Sequence, residues 1–281
     1  MNQGNNVIEA KELSYQVGHQ YLLNHINLKI AQGEHWLLYG MNGCGKTTLL
    51  SILSGFRQQT QGELKVFGEA FDDHNILQLR KKIGWVSSSF FDARYHHERV
   101  LDIVLSGKFG TYGLDWGLDS ADYRRANALL SALGLADKGQ QSYDRLSKGQ
   151  RQNVLTARAF MGNPEILLLD EPCSGLDALA KVRFMNLLEA LMEQTNLTVL
   201  FVSHEINDVK DLFPRTILLR NGRLFAQGDT EELFQESNLS IFFQQKVMRT
   251  EVMETKITSA GQQELDILNF CDNSIYFQHN T

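Results

Sequence analysis

Gly40-Met41-Asn42-Gly43-Cys44-Gly45-Lys46-Thr47-Thr48 fits G-x-x-x-x-G-K-[ST], the spacing of a phosphate-binding loop. Its flanks suit that reading. Glu34-His35-Trp36-Leu37-Leu38-Tyr39 ahead of it reads as a buried strand, and Thr47 to Gly55 reads as a helix stopped by glycine. Gly40, Gly43 and Gly45 let backbone N–H groups turn inward around an anion, with Asn42, Cys44 and Thr48 completing the loop. The helix that follows adds the positive end of its dipole. Lys46 supplies a point charge for β and γ phosphates, and Thr47 a hydroxyl for Mg²⁺. The bland alternative is a glycine-rich strand-to-helix turn that binds nothing. Lysine, threonine and a preceding strand together argue against it.

The chain has 281 residues, 43% of them apolar, enough for a well-filled globular core. A net charge of −6 gives no support for general nucleic-acid binding, so no nucleic-acid partner is expected. No apolar run approaches the roughly 20 residues that cross a bilayer. The first residues lack the basic and apolar regions of a signal peptide. Cys44, Cys173 and Cys271 form neither a metal spacing nor a disulfide framework. A reducing, cytoplasmic setting is the expectation.

Outward from the loop, Val7–Tyr15 and Leu22–Ile30 alternate as two strands joined across Gly18, and Gln61–Gly68 reads as a third. Leu77–Lys82 reads as a short basic helix and Ile83-Gly84-Trp85-Val86 as a short buried strand. From Ser87 to Gly117 aromatics, glycines and histidines replace regular patterning. Helices are expected at Arg99–Ser106 and at Asp119–Leu133, the latter closed by Gly134. A mostly helical lobe over about 90–160 thus interrupts an α/β core. The core resumes at Ile166-Leu167-Leu168-Leu169, a continuous apolar run suited to a central parallel strand. A helix over 178–194, a strand over 197–202 and a hairpin at Ile217–Leu224 complete it. Residues 237–281 are polar and weakly patterned.

Two further stretches carry chemistry. Leu167-Leu168-Leu169-Asp170-Glu171 sets two carboxylates at the end of a buried strand. Phosphoryl transfer needs a metal-holding group and a group that orients the nucleophile. Asp170 suits the first and Glu171 the general base that polarises a water. Solvated acids at a strand end are the alternative. Leu146-Ser147-Lys148-Gly149-Gln150 precedes a helix running from Arg151 to Phe160, with Ser147 as a good N-cap. Taken locally, an ordinary helix start explains it better than a phosphate contact does.

Taken in order, these motifs resemble the ATP-binding subunits of the ATP-binding cassette (ABC) transporter family over about residues 7–235. Ser174-Gly175-Leu176-Asp177 and His204 in Phe201-Val202-Ser203-His204-Glu205 add to the match. The resemblance implies a P-loop NTPase core with an N-terminal antiparallel β subdomain and an inserted helical subdomain. It also implies ATP and Mg²⁺ as cofactors, a head-to-tail homodimer and a transmembrane permease partner on the inner face of the membrane. In that arrangement Ser147 and Gly149, beside Gln150, contact the γ-phosphate held by the partner's loop. His204 senses that phosphate and holds water near Glu171, and Asp177 ties the two sites together.

The chain departs from the family at three places. Lys148 stands where glycine is usual, a substitution tolerated in such cassettes if the residue points outward. Ser88 occupies the position of a glutamine that touches Mg²⁺ and the membrane subunit. The adenine-stacking aromatic falls at Val17, leaving Tyr15 as its substitute on the same strand face. Trp85-Val86-Ser87-Ser88-Ser89 is similar to a smaller branch that includes the molybdate-transport-related protein ModF. Tyr95, Phe109 and Tyr112 are candidates for a docking groove or for core. Cys44, near Lys46 and a helix N-terminus, is expected to have a depressed thiol pKa. Two other readings stay open: a soluble cassette ATPase acting on the ribosome or DNA, and a slow regulatory cassette.

Overall fold

A computed structural model describes residues 5–115, 117–204 and 212–243. The chain divides into two compact units, Met1–Gln235 and Glu236–Thr281. In the second, residues 236–243 are helical and the rest of the tail lies outside the described residues.

The first unit holds two sheets. β1 (Asn6–Val17), β2 (Gln20–Ala31) and β4 (Gln61–Val66) form an antiparallel sheet in the order β2-β1-β4. The second sheet runs β5-β6-β7-β3-β8-β9, comprising β3 (His35–Tyr39), β5 (Ile83–Ser87), β6 (Ile166–Asp170), β7 (Thr198–Val202), β8 (Arg215–Arg220) and β9 (Arg223–Asp229). Its first five neighbours are parallel and β9 closes the edge antiparallel. Strands buried on both faces must be apolar throughout, and β6 and β7 are buried at every position.

Register decides where the chemistry lies. Ser87 pairs with Asp170, Asp170 with Val202, and Leu38 with Val202. The carboxyl ends of β5, β6, β7 and β3 therefore finish at one level. The loop 40–45 leaves the end of β3 and enters α1 (Lys46–Leu53). Gly55, at φ 73°, ends that helix by donating to the Ile52 carbonyl at 2.9 Å. β3 lies between β7 and β8 although both come later in sequence, which is the switch-point geometry of open α/β sheets.

The lobe is built from α3 (Ser88–Tyr95), α4 (Val100–Ser106), α5 (Ser120–Ala132) and α6 (Lys148–Met161). Asp119 caps α5 through the N–H groups of Ala121 and Asp122. α6 begins three residues earlier than the Arg151 start expected from its apolar pattern, because Ser147 and Gln150 form a reciprocal capping box. It lies hard against β5. A Cβ at Gly84 would stand 3.0 Å from the Ala159 carbonyl oxygen, so a side chain there would require the helix to give by a few tenths of an ångström.

An aromatic cluster fills the junction of lobe and sheet. Trp85 is 4.4 Å from Phe90 and 5.1 Å from Phe91 between ring centroids, and Phe56 packs beside all three. Arg158 lies over Phe91, and Arg80 over Phe56. Tyr95 and Phe109, candidates for a docking groove, are instead buried core side chains. Tyr112 is half-buried against the same cluster. A polypeptide segment of mixed aromatic and glycine composition gives no periodicity from which to tell these cases apart.

Candidate active site

Gly45 adopts φ 110°, a left-handed value that turns the chain from loop into α1. The loop is seated by backbone. Gly222 N–H donates to the Cys44 carbonyl at 2.9 Å, and Asn24 N–H to the Gly222 carbonyl at 2.7 Å. A Cβ at Gly40 would fall 2.3 Å from the Leu219 carbonyl oxygen. Met41, Asn42 and Gly43 remain exposed at the rim, while Thr47 and Thr48 are half-buried in the first helical turn. Lys46 is buried and its Nζ donates to the carbonyls of Gly40 at 2.6 Å and Met41 at 3.1 Å. The ammonium is thereby folded back over the loop whose glycines its charge serves.

Three hydroxyls converge on one carboxylate oxygen. Asp170 Oδ2 accepts from Thr47 Oγ1 at 2.8 Å, from Ser87 Oγ at 2.8 Å and from Ser89 Oγ at 3.5 Å. Burial pushes the Asp170 carboxyl above its usual range. The Ser87 and Thr47 hydroxyls oppose that shift, neighbouring Glu171 adds to it and Lys46 works against it. Ser88, expected to reach the metal, is not among these donors. It is the first residue of α3, and the strand end presents Ser87 while the first helical turn returns Ser89. Ser87 lies one residue past the strand expected over Ile83–Val86, at the start of the segment without regular patterning, so no local signal marks it as a ligand position. Its pairing with Asp170 exists only in the sheet.

Glu171 has φ 51°, unusual for a side-chain-bearing residue, and its N–H donates to the Val202 carbonyl at 3.1 Å. That turn points the chain out of β6. His204 Nδ1 lies 3.3 Å from Glu171 Oε1, so strand ends β6 and β7 bring this pair together. Both side chains keep contact with solvent.

Ser147 Oγ accepts from Gln150 N–H at 3.3 Å, and Gln150 Oε1 accepts from Ser147 N–H at 3.0 Å. The Ser147 hydroxyl proton is thus left to donate elsewhere. Gly149 packs against the 174–176 turn, where a Cβ would meet Leu176 at 3.2 Å. Lys148 is exposed, and its Nζ donates to Ser174 Oγ at 2.9 Å while its stem covers Gly175. Asp177 caps α7 (Ala178–Gln194) through Ala180 N–H at 2.8 Å and is exposed.

Two expectations change. Cys44 is only 6% exposed, and burial raises its thiol pKa more than Lys46 and nearby N–H groups lower it. Tyr15 is half-buried, with Arg57 5.0 Å over its ring and bonded to its hydroxyl at 3.2 Å. Val17 is the exposed one, at 51%. Tyr15 thus has an internal partner in Arg57, whereas Val17 is exposed to solvent.

Residues 23–174 match the ABC transporter family. The chain is 33% identical over 239 residues to the ABC transporter ATP-binding protein YlmA of Bacillus subtilis, covering 84% of this chain and 90% of that protein. It is similar in structure to cbiO1 of Clostridium perfringens, part of the ABC transporter complex cbiONQ. That match has TM-score 0.67 and 26% identity, and covers 89% of this chain and 99% of the other. It is also similar to the dimeric cassette MJ0796 in a post-hydrolysis state with ADP and phosphate. There the TM-score is 0.68 and the identity 28%, with coverage of 79% and 98%. A nucleotide-binding fold with its loop, carboxylates and lobe in this order, and these relatives, place the chain in the ABC transporter family as an ATP-hydrolysing, nucleotide-binding subunit.

Proposed function

We propose that the chain works as a head-to-tail homodimer that closes on ATP and Mg²⁺ and drives a transmembrane permease from the inner face of the membrane. The observation that carries this reading is the convergence of Lys46, Thr47, Asp170, Glu171 and His204 at the ends of β3, β6 and β7. In this reading the loop N–H groups and Lys46 bind the β and γ phosphates. The Thr47 hydroxyl and the Asp170 carboxylate are hard oxygen donors already 2.8 Å apart, a set suited to Mg²⁺. When bound, the ion neutralises charge on the phosphate oxygens.

Glu171 takes a proton from water as the water oxygen attacks the γ-phosphorus and the bond to ADP breaks. His204 holds that water and the phosphate beside Glu171. From the second copy, the free hydroxyl proton of Ser147 and the N–H groups at Gly149 and Gln150 meet the γ-phosphate, the positive end of α6 aiding them. Ser87 and Ser89 hold Asp170 in orientation. Asp177 belongs to the interface between copies, and residues 7–235 form the cassette with its helical lobe over about 90–160. In this reading the permease docks against that lobe. Among the described residues no helix is long and apolar enough to cross a membrane, which leaves the spanning part to that partner.

Glu171→Gln tests the reading. The variant is expected to bind ATP as wild type does but to elute as a dimer with ATP, hydrolysis falling at least about 100-fold. Lys46→Ala is expected to lose ATP binding. Hydrolysis by Glu171→Gln at the wild-type rate would remove Glu171 from the mechanism. Copurification of the trapped dimer with a polytopic membrane protein tests the permease.

A further inference from the structure

On the lobe, away from the phosphate loop, three donor atoms face a common point. His96 Nδ1 and His97 Nδ1 are 3.5 Å apart, and each is 3.9 Å from Asp144 Oδ2. A triangle with those sides has its centre about 2.2 Å from every corner, and Zn–N and Zn–O bonds are about 2.0–2.2 Å. Both histidine–carboxylate gaps exceed hydrogen-bond length, and the one hydrogen bond among the three atoms is the long 3.5 Å contact between the two ring nitrogens.

The backbone holds them there. Asp144 N–H donates to the His96 carbonyl at 3.1 Å and Tyr143 N–H to the Glu98 carbonyl at 2.9 Å. Arg99 and Ser142 form an isolated bridge alongside. The other carboxylate oxygen, Asp144 Oδ1, is occupied by the Ser142 hydroxyl at 2.5 Å, which fixes Oδ2 toward the rings as an outer-shell partner would. Two imidazoles and one carboxylate form a borderline donor set, better suited to zinc-class ions than to Mg²⁺ or Ca²⁺.

We propose that His96, His97 and Asp144 form a surface site for a divalent transition ion of the zinc class, with water at the fourth position. Such an ion would join the end of α3 to the segment entering α6, three residues before Ser147. The proposal is independent of the nucleotide reading, since no nucleotide contact enters it.

The test uses nucleotide-free full-length protein titrated with Zn²⁺ against a chromophoric chelator, with Co²⁺ absorption as a second readout. Wild type is expected to bind one equivalent more than the His96→Ala/His97→Ala double variant and to show the tetrahedral Co²⁺ bands that the variant lacks. Asp144→Asn is expected to weaken binding at least tenfold. Both histidine side chains are largely exposed, at 57% and 86%, so the double variant should keep the wild-type thermal midpoint without metal. Equal stoichiometry and Co²⁺ spectra in wild type and double variant would overturn the site. So would the absence of any binding by wild type at micromolar Zn²⁺.

Discussion

Ser87→Ala separates the position read from sequence from the one built by the fold. Ser87 is fully buried and its hydroxyl lies 2.8 Å from Asp170 Oδ2. A hydrogen bond to an ionised group contributes about 1.5–3 kcal/mol, and a neutral one about 0.5–1.5 kcal/mol. Thr47 keeps its own bond to the same oxygen, so the lower half of the first range, about 1.5–2 kcal/mol, is the expected loss at neutral pH. The sign of the pH dependence follows from burial, which raises the Asp170 carboxyl above its unfolded value. Stability from that shift is fully present below the unfolded pKa, about 3.9, and is lost as pH rises through the folded pKa. Removing Ser87 raises the folded pKa further. The wild-type-minus-variant gap should therefore widen as pH rises from the wild-type folded pKa to the variant's higher one and level off above both. Urea unfolding of nucleotide-free protein between pH 4.5 and 8, followed by tryptophan fluorescence from buried Trp36 and Trp85, measures the gap. Ser88→Ala, which removes no bond to Asp170, should stay within about 0.5 kcal/mol of wild type. A larger loss for Ser88→Ala than for Ser87→Ala would refute the reasoning, as would a gap that closes with rising pH.

Cys44 should react slowly with a maleimide in native protein carrying Cys173→Ser and Cys271→Ser, at least about tenfold slower than a free thiol at pH 7.5, and catch up in urea. Mass spectrometry over time measures this, and fast native labelling would mean that the loop opens. Gly40→Ala places a methyl 2.3 Å from the Leu219 carbonyl oxygen, so it should unseat the loop and abolish ATP binding. At Gly43, φ 76° and no atom within 4 Å of an added Cβ leave only backbone strain, about 1–2 kcal/mol, for alanine to meet. Gly43→Ala should thus bind ATP more weakly than wild type yet measurably, by titration calorimetry.

Much of this molecule was legible in residue order. The apolar run Ile166–Leu169, the glycine pattern at 40–45 and the carboxylates that follow a buried strand are local. Strand burial, loop conformation and N-cap chemistry depend on neighbours within a few positions. The same logic placed α7 at its observed bounds, 178–194. Sequence thus determined the fold class, the position of the phosphate loop and the family.

Tertiary structure decided what depends on register and burial. Parallel pairing of β5 with β6 set Ser87, not Ser88, against Asp170. Alternation along a strand cannot say which residue is last before a helix begins. Burial by the surrounding chain raised the Cys44 thiol, reversing an inference that counted only nearby charge. Close packing put Tyr95 and Phe109 in the core, drew Lys148 onto Ser174 and gave Tyr15 to Arg57. His96 and His97 meet Asp144 only because backbone bonds hold the end of α3 beside the chain entering α6. Each of these contacts joins residues distant in sequence. Their energies come from packing and desolvation, which a linear pattern does not contain.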